Sequence, residues 1–263
     1  LIGNAGGNTL RGNGGADVLD GGAGFDYASY FAAPTGVKVS LANPALNTGE
    51  AAGDTFISIE GLSGSAFDDE LIGDGGDNWL LGQGGADILN GGAGFDYASH
   101  ATATAAVTAS LANPSANTGE AAGDTYISIE GLIGTNFSDT LIGDVGDNTL
   151  IGGAGADALI GGGGLDTASY ENATSGVTAN LGSVNANTGD AAGDSYASIG
   201  NLKGSFYADN LTGDSGANHL DGNGGTDTLT GGGGADTFEF RVLPGNANLV
   251  TIIADLQMKM GID

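Results

Sequence analysis

A nine-residue repeat dominates this sequence and leaves few folds open to it. Fifteen nonads begin with Gly, and their sixth residue is Asp in eleven cases and Asn in four. Their eighth residue is always apolar, as in Leu10, Leu19 and Ala28. Repeats of fixed length that each carry one apolar position predict the stacked coils of a solenoid, because each coil must match its neighbours.

The nonads are grouped within a longer repeat of 70 residues. The segment LIGDGGDNWL at 71–80 recurs as LIGDVGDNTL at 141–150 and LTGDSGANHL at 211–220, without insertions. We therefore divide the chain into nonad runs at 1–29, 64–99, 134–169 and 204–239, 34-residue spacers at 30–63, 100–133 and 170–203, and a C-terminal cap at 240–263. Together they form one continuous solenoid. Its first run begins within a repeat, so we expect the sequence to be a segment of a longer protein.

The residue types within each nonad favour calcium as a ligand. Gly at the first, second and fourth positions permits positive φ, so that backbone carbonyls can turn towards a shared ion. Asp at the sixth position adds a carboxylate on a short side chain. Calcium takes six to eight such oxygens in irregular geometry, whereas zinc and copper prefer Cys and His. The chain has no Cys and two His.

The pattern G-G-x-G-x-D-x-U-x resembles the calcium-binding nonapeptide of the RTX (repeats-in-toxin) family, and the nonads cover about half of the chain. The resemblance implies an all-β fold, a parallel β-roll or β-solenoid in which a six-residue calcium-binding turn precedes each three-residue strand. It also implies secretion by a bacterium, usually through a type I system, and therefore an extracellular or cell-surface location.

Successive turns of such a roll fall on alternate edges, so an ion is expected between turns two nonads apart. This pairs Asn8 with Asp26, Asp69 with Asp87, Asn78 with Asp96, Asp139 with Asp157, Asn148 with Asp166, Asp209 with Asp227 and Asn218 with Asp236. Asp17 is a further candidate. We expect about seven or more calcium ions, with weaker binding at the Asn-containing pairs unless Asp74, Asp144 and Asp214 compensate. The backbone carbonyls of eleven of the fifteen first-position glycines complete the predicted ligands: Gly12, Gly21, Gly73, Gly82, Gly91, Gly143, Gly152, Gly161, Gly213, Gly222 and Gly231.

The charge of the chain limits both its partners and its folding. The net charge is −27, and the five Lys and Arg residues are scattered, which excludes nucleic-acid binding because the field repels phosphate. No apolar run approaches the length of a membrane span. One apolar side chain in nine buries little surface, so we expect calcium binding and folding to be a single event.

The spacers alternate apolar and polar residues in two short segments, which predicts strands that continue the solenoid as wider coils. One segment contains Val37, Val39 and Leu41, and the other runs from Phe56 to Glu60. The loop between them carries recurring acids, Glu50 with Asp54, Glu120 with Asp124, and Asp190 with Asp194. Asp54, Asp124 and Asp194 are either additional calcium ligands or solvated turn residues copied with the repeat.

Several remaining features are less specific. The segment 240–263 is predicted to be a capping strand region, with an amphipathic helix from residue 250 as the alternative. His100 and His219 occupy non-equivalent positions and are expected in surface or stacking roles. Trp79 is expected at the surface, with or without a ligand, and Tyr27, Tyr97 and Tyr170 are expected to pack between the runs and the spacers.

Three functions are compatible with these observations. The leading hypothesis is a non-enzymatic extracellular calcium-binding segment of a structural, adhesin or surface-layer protein, or the secretion-competent tail of a larger protein. Alternatively, the chain is a calcium-dependent polysaccharide-binding module, or the non-catalytic RTX tail of a secreted protease, lipase or epimerase. Neighbouring copies of the chain are a further possible partner. Catalysis within the chain is not expected, since H-E-x-x-H and G-x-S-x-G motifs are absent.

Overall fold

Parallel β-strands of two or three residues, joined by turns and loops, build the described part of the chain. The computed structural model describes residues 1–239 and the strand at 252–253. The strands are β1 (Thr9–Leu10), β2 (Val18–Asp20), β3 (Tyr27–Ser29), β4 (Lys38–Ser40), β5 (Thr55–Ile57), β6 (Gly61–Ser63), β7 (Glu70–Ile72), β8 (Trp79–Leu81), β9 (Ile88–Asn90), β10 (Tyr97–Ser99), β11 (Thr108–Ser110), β12 (Thr125–Ile127), β13 (Gly131–Ile133), β14 (Thr140–Ile142), β15 (Thr149–Ile151), β16 (Ala158–Ile160), β17 (Thr167–Ser169), β18 (Thr178–Asn180), β19 (Ser195–Ala197), β20 (Asn201–Lys203), β21 (Asn210–Thr212), β22 (His219–Asp221), β23 (Thr228–Thr230), β24 (Thr237–Glu239) and β25 (Ile252–Ile253). The predicted all-β solenoid is confirmed.

The strands form two unequal walls. One wall is a single sheet of 11 strands in the order β1-β3-β6-β8-β10-β13-β15-β17-β20-β22-β24, called the long sheet below. The opposite wall is divided into sheets of two or four strands, β2-β5, β4-β7-β9-β12, β11-β14-β16-β19 and β18-β21-β23-β25. Within each nonad run, consecutive strands alternate between the walls, as the β-roll prediction requires.

The core is the thin layer between the two walls. It contains the central residue of each three-residue strand, because side chains alternate between the faces of a strand and the middle residue of three points inward. Leu62, Leu80 and Ala98 on the long sheet and Leu71 and Leu89 on the opposite wall are fully buried. The apolar eighth position of the nonads supplies the buried residue of each run strand, and the spacers add buried residues of their own, Leu62 among them.

The spacers depart from the wider coils that we predicted. In the first spacer, β4 pairs forward with β7 of the next run, whereas β5, which follows it in sequence, pairs back with β2 of the preceding run. The loop between β4 and β5 makes two short 3-10 turns, Pro44–Leu46 and Gly49–Ala51. The predicted second segment bends at Ser58, whose φ is 48°, and then enters β6 of the long sheet. The same arrangement recurs in the other two spacers.

Most of the predicted cap, 240–263, lies outside the described residues. Within it, β25 pairs in parallel with β23 and adds a strand to the opposite wall. Across the described residues, none of the helices has the length and apolar character needed to cross a membrane.

Candidate metal sites

All seven predicted pairs of sixth-position residues are adjacent in the structure. On the edge where the turns enter the long sheet, each Asn donates its backbone N–H to Oδ1 of the Asp two nonads later. These distances are 2.7 Å for Asn8–Asp26, 2.7 Å for Asn78–Asp96, 2.9 Å for Asn148–Asp166 and 3.0 Å for Asn218–Asp236. On the opposite edge the same bond is 2.8 Å for Asp69–Asp87, 2.8 Å for Asp139–Asp157 and 3.0 Å for Asp209–Asp227. The sixth positions therefore form a column of carboxylates and amides along each edge.

The spacer acids continue the column on the opposite edge. The backbone N–H of Asp17, Asp87 and Asp157 donates to Oδ1 of Asp54, Asp124 and Asp194, at 2.8, 2.9 and 2.9 Å respectively. These three spacer residues are fully buried. Because they are buried, they are not residues of a solvated turn. Asp54 is also the column neighbour of Asp17, which the nonad spacing did not identify.

The first-position glycines leave a space in which oxygens converge. A Cβ atom built on Gly73 would lie 2.1 Å from Asn78 Oδ1 and 2.2 Å from the Gly91 carbonyl oxygen. A Cβ atom on Gly64 would meet Asp69 Oδ2 at 2.3 Å and the Gly82 carbonyl oxygen at 2.8 Å. Seven of the eleven predicted carbonyls face such a space, those of Gly21, Gly82, Gly91, Gly152, Gly161, Gly222 and Gly231. Glycine is required there because any side chain would fill the space.

Six buried carboxylate oxygens in these columns have no hydrogen-bond donor. They are Oδ2 of Asp26, Asp87, Asp96, Asp124, Asp157 and Asp166. The ion pairs found among residues 1–239 join Lys38 to Glu70, Lys203 to Glu171 and His219 to Glu239, and none reaches the six carboxylates. Buried charges are costly unless they are paired or bind a metal, so these oxygens lack the positive charge that their burial requires.

The pKa values of the column carboxylates also indicate that their burial is not balanced by positive charge. Burial raises the pKa of Asp87, Asp124 and Asp157 to about 7, and neighbouring carboxylates add to the shift. Burial likewise raises the pKa of Asp96 and Asp194 to about 6. Without a cation, part of these groups would be protonated near neutral pH, since desolvation disfavours the charged form.

The donor set suits calcium. In the part of the chain that the structure describes, no three His, Asp or Glu side chains gather into a metal-binding cluster. The spaces are instead lined by carboxylate or amide oxygens from the sixth positions together with first-position carbonyls. Calcium accepts such mixed oxygen ligands in flexible geometry, and Mg²⁺ demands a stricter octahedron.

Asp74, Asp144 and Asp214 lie in their own turns. Their Oδ1 atoms accept the backbone N–H of Gly76, Gly146 and Gly216, at 2.9, 2.8 and 2.7 Å. Asp74 and Asp214 are exposed, and Asp144 is partly buried. One oxygen of each side chain therefore closes its turn.

Two kinds of residue in the columns were missed by the sequence analysis. Each coil adds one residue to a column, and we call each such position a level. Glu60 and Glu130 occupy the level after Asp26 and Asp96. The carbonyls of Ser58 and Ser128 take the place of a first-position glycine carbonyl. The turn from Ser128 to Glu130 is shorter than the turn from Gly91 to Asp96, so the nine-residue spacing does not align them. The recurrence of S-I-E-G-L at 58–62 and 128–132 could have identified these residues from the sequence.

Of the two roles predicted for His100, surface or stacking, the structure shows the stacking one. His100 is fully buried rather than at the surface, it contacts Tyr126 edge-on, and burial lowers its pKa to about 4. Its counterparts Tyr30 and Tyr170 are buried at the starts of their spacers, where each hydroxyl donates to a column carboxylate. Tyr27 and Tyr97 lie on the outer face of the long sheet, where their rings pack over Gly61 and Gly131 of the following spacers, as predicted.

Comparison with known proteins agrees with this geometry. A family model described as the RTX calcium-binding nonapeptide repeat matches four stretches of the chain, residues 1–28, 63–98, 133–168 and 203–238. Together they cover just over half of it, and each stretch coincides within one residue with a nonad run. No curated protein matches the chain.

Proposed function

Because the chain belongs to the RTX family of calcium-binding nonapeptide repeat proteins, we propose that it is a secreted bacterial module that folds outside the cell when it binds calcium. The chain is a calcium-binding β-roll. We propose that it acts as a structural, adhesin or surface-layer segment, or as the non-catalytic tail of a larger secreted protein. The observation that carries this proposal is the set of six buried carboxylate oxygens without a donor.

Each edge column would hold its ions between levels. On the long-sheet edge, Asn78 Oδ1 and the Gly91 carbonyl face one space, and Asp96 contributes the carboxylate of the next level. On the opposite edge, Asp69, Asp87 and the Gly82 carbonyl play the same parts, and Asp124 extends the column. When bound, calcium supplies positive charge and links coils that are two nonads apart in sequence. The chain's own residues supply the oxygens, and their backbone hydrogen bonds fix the spacing between levels.

Charge explains why folding would wait for secretion. With a net charge of −27 and 53 glycines, the chain without calcium has strong self-repulsion and high conformational entropy to overcome. Calcium is scarce in a bacterial cytosol and abundant outside it, so the chain would remain extended until export. Carboxylates held ionised by calcium make poor general acids, which favours a role without catalysis.

A calcium titration followed by far-UV circular dichroism tests this proposal, with magnesium as the matched control. We expect a coil-like spectrum in chelator and a β spectrum at millimolar calcium, whereas magnesium at the same concentration should leave the coil. A β spectrum that persists in chelator at low ionic strength would contradict the proposal.

A second candidate function, polysaccharide binding, is favoured by an aromatic strip on the outer face of the long sheet. The strip consists of Phe25, Tyr27, Trp79, Tyr97 and Phe95, whose neighbouring ring centroids are 5.2–5.4 Å apart. The glycines at 61 and 131 leave room for the Tyr27 and Tyr97 rings, which a Cβ atom there would meet at 2.3 and 2.2 Å. Sugar rings bind to aromatic surfaces of this kind through their C–H faces.

The fold does not require this strip, because the chain forms the same sheet without it. Seventy residues after Trp79, Phe95 and Tyr97, the equivalent residues are Thr149, Leu165 and Thr167. Beside the strip lies an open groove of about 540 Å³, lined by Tyr27 and by groups that can bind hydroxyls, among them Arg11, Ser29 and Gln83. Trp79 is therefore part of a surface feature rather than an isolated exposed residue.

A glycan array with and without calcium tests this second candidate. We expect calcium-dependent binding that Trp79→Thr and Tyr97→Thr abolish, since Thr is the residue that the chain itself uses at the equivalent positions. Phe206→Thr removes an exposed aromatic side chain elsewhere and serves as the control. An array without calcium-dependent signals would contradict this candidate. Thr variants that lose self-association but keep glycan binding would contradict it as well.

A further inference from the structure

We propose that the first two spacers each add a calcium site on the long-sheet edge, which the nonapeptide pattern does not include. The first site is built by Asp26, Glu60 and the Ser58 carbonyl, and the second by Asp96, Glu130 and the Ser128 carbonyl. The inference rests on the proposed calcium-dependent fold and deepens it by assigning ions to spacer residues.

The strand register places the two glutamates in the column. Because β3 pairs with β6 so that Tyr27 faces Gly61, the residue before Gly61 lies one level beyond Asp26. The Asp26 N–H donates to Glu60 Oε2 at 2.9 Å, and the Asp96 N–H donates to Glu130 Oε2 at 2.9 Å. These bonds repeat the one by which Asn78 N–H reaches Asp96 Oδ1. Glu60 and Glu130 thus occupy the column positions that sixth-position carboxylates occupy in the nonad runs.

The serine carbonyls complete the same space that the nonads form. A Cβ atom on Gly21 would lie 2.1 Å from the Ser58 oxygen and 2.6 Å from Asp26 Oδ2. A Cβ atom on Gly91 would lie 2.3 Å from the Ser128 oxygen and 2.4 Å from Asp96 Oδ2. In both places a carboxylate oxygen and a carbonyl oxygen converge on one point, as they do at the nonad pairs.

The oxygens at these two points lack a partner. Asp26 and Asp96 are fully buried, and the Oδ2 atom of each has no hydrogen-bond donor. Two converging oxygen acceptors repel each other unless a donor or a cation lies between them. Since each place also has a glutamate carboxylate, the charge favours a divalent cation, and the flexible oxygen set favours calcium.

The third spacer is a natural control within the chain. Asp166 Oδ2 and the Ser198 carbonyl converge beside Gly161 in the same way, but Gly200 stands where the other spacers have Glu60 and Glu130. The third place therefore lacks the second side-chain ligand that even the Asn-containing nonad pairs have, and we assign no additional ion to it.

Ion counting by native mass spectrometry at saturating calcium tests the inference, with circular dichroism on the same samples. We expect the Glu60→Ala, Glu130→Ala double variant to fold and to bind two ions fewer than the wild type. Gly200→Glu should bind one ion more. Glu70→Ala removes a glutamate that pairs with Lys38 and is not part of a column, and it should leave the count unchanged.

Two results separate this inference from the proposed function. If the wild type folds with calcium but neither the double variant nor Gly200→Glu changes the ion count, the spacer sites are overturned and the calcium-dependent fold stands. If the wild type binds no calcium, both are overturned. Should the double variant fail to fold, Gly200→Glu decides the question by the gain or absence of one ion.

Discussion

The backbone N–H of Asp87 donates to Oδ1 of Asp124, which lies 37 residues later in the chain, at 2.9 Å. A nonad residue and a spacer residue thus occupy successive levels of one column, although the spacer has no nonapeptide pattern. Both side chains are fully buried, and each keeps an Oδ2 atom without a donor. The column of carboxylates therefore does not stop where the nonad runs stop.

Asp124→Asn should weaken calcium-driven folding, because it removes one carboxylate charge from a buried column while keeping the size of the side chain. We expect the calcium concentration at the folding midpoint to rise about tenfold, which corresponds to roughly 1.4 kcal/mol. Circular dichroism titrations measure the midpoint. Glu171→Gln, which breaks an ion pair with Lys203 outside the columns, is the control. Equal midpoints for the two variants would contradict a ligand role for Asp124.

Gly91→Ala should disrupt the coil more strongly than an ordinary Gly→Ala change. The new Cβ atom would lie 2.3 Å from the Ser128 oxygen and 2.4 Å from Asp96 Oδ2, in the space assigned to an ion. We expect a loss of about 2–3 kcal/mol in the free energy of unfolding together with the loss of bound calcium.

Gly84→Ala is the matched control for this change, since nothing lies within 4 Å of its Cβ position. Its effect should stay below about 1 kcal/mol. Calcium-saturated denaturant unfolding measures both variants, and similar losses for the two would argue against the assigned space at Gly91.

The folded state without calcium should become more stable as the pH falls from 8 to 5. Burial raises the pKa of Asp87, Asp124 and Asp157 to about 7 in the folded state, above the ordinary value of about 3.9. The folded state then binds more protons than the unfolded state, so stability is present at low pH and is lost as the pH rises through 7.

Saturating calcium should reverse this trend, because protons compete with calcium for the same carboxylates. Far-UV circular dichroism at pH 5 and pH 8, in chelator and in calcium, measures the four conditions. A chelated protein with more β structure at pH 8 than at pH 5 would contradict the electrostatic account.

His100→Tyr should stabilise the second spacer. The Tyr30 hydroxyl donates to Asp54 Oδ2 and the Tyr170 hydroxyl to Asp194 Oδ2, both at 2.8 Å. His100 instead contacts the Tyr126 hydroxyl, and Asp124 Oδ2 has no donor. Restoring the hydroxyl should add about 1 kcal/mol to the free energy of unfolding.

Thermal unfolding at fixed calcium measures this gain. His219→Tyr changes the other histidine, which is partly exposed on the long sheet, and should have little effect. A destabilised His100→Tyr protein would show that the second spacer is packed differently from the third, where Tyr170 occupies the same place.

The parts of the structure that follow a constant spacing were predictable from sequence. The pairing of Asp69 with Asp87 and the burial of Leu71 and Leu89 follow from the nine-residue period, which fixes both register and face. The crossed order of β4 and β5 was not predictable, because alternation identifies the buried face of a strand but not its partner. Glu130 was missed for a related reason, since the shortened turn after Ser128 breaks the period while the strand register continues.

The central claim is that calcium binding and folding are one event, and native mass spectrometry across a calcium series tests it most directly. One spectrum reports both the compactness of each species, through its charge states, and the number of ions that it carries. The account predicts that, at pH 8, chains without calcium are extended and every compact species carries seven or more ions. A compact species with no calcium, or with only one or two ions, would contradict it.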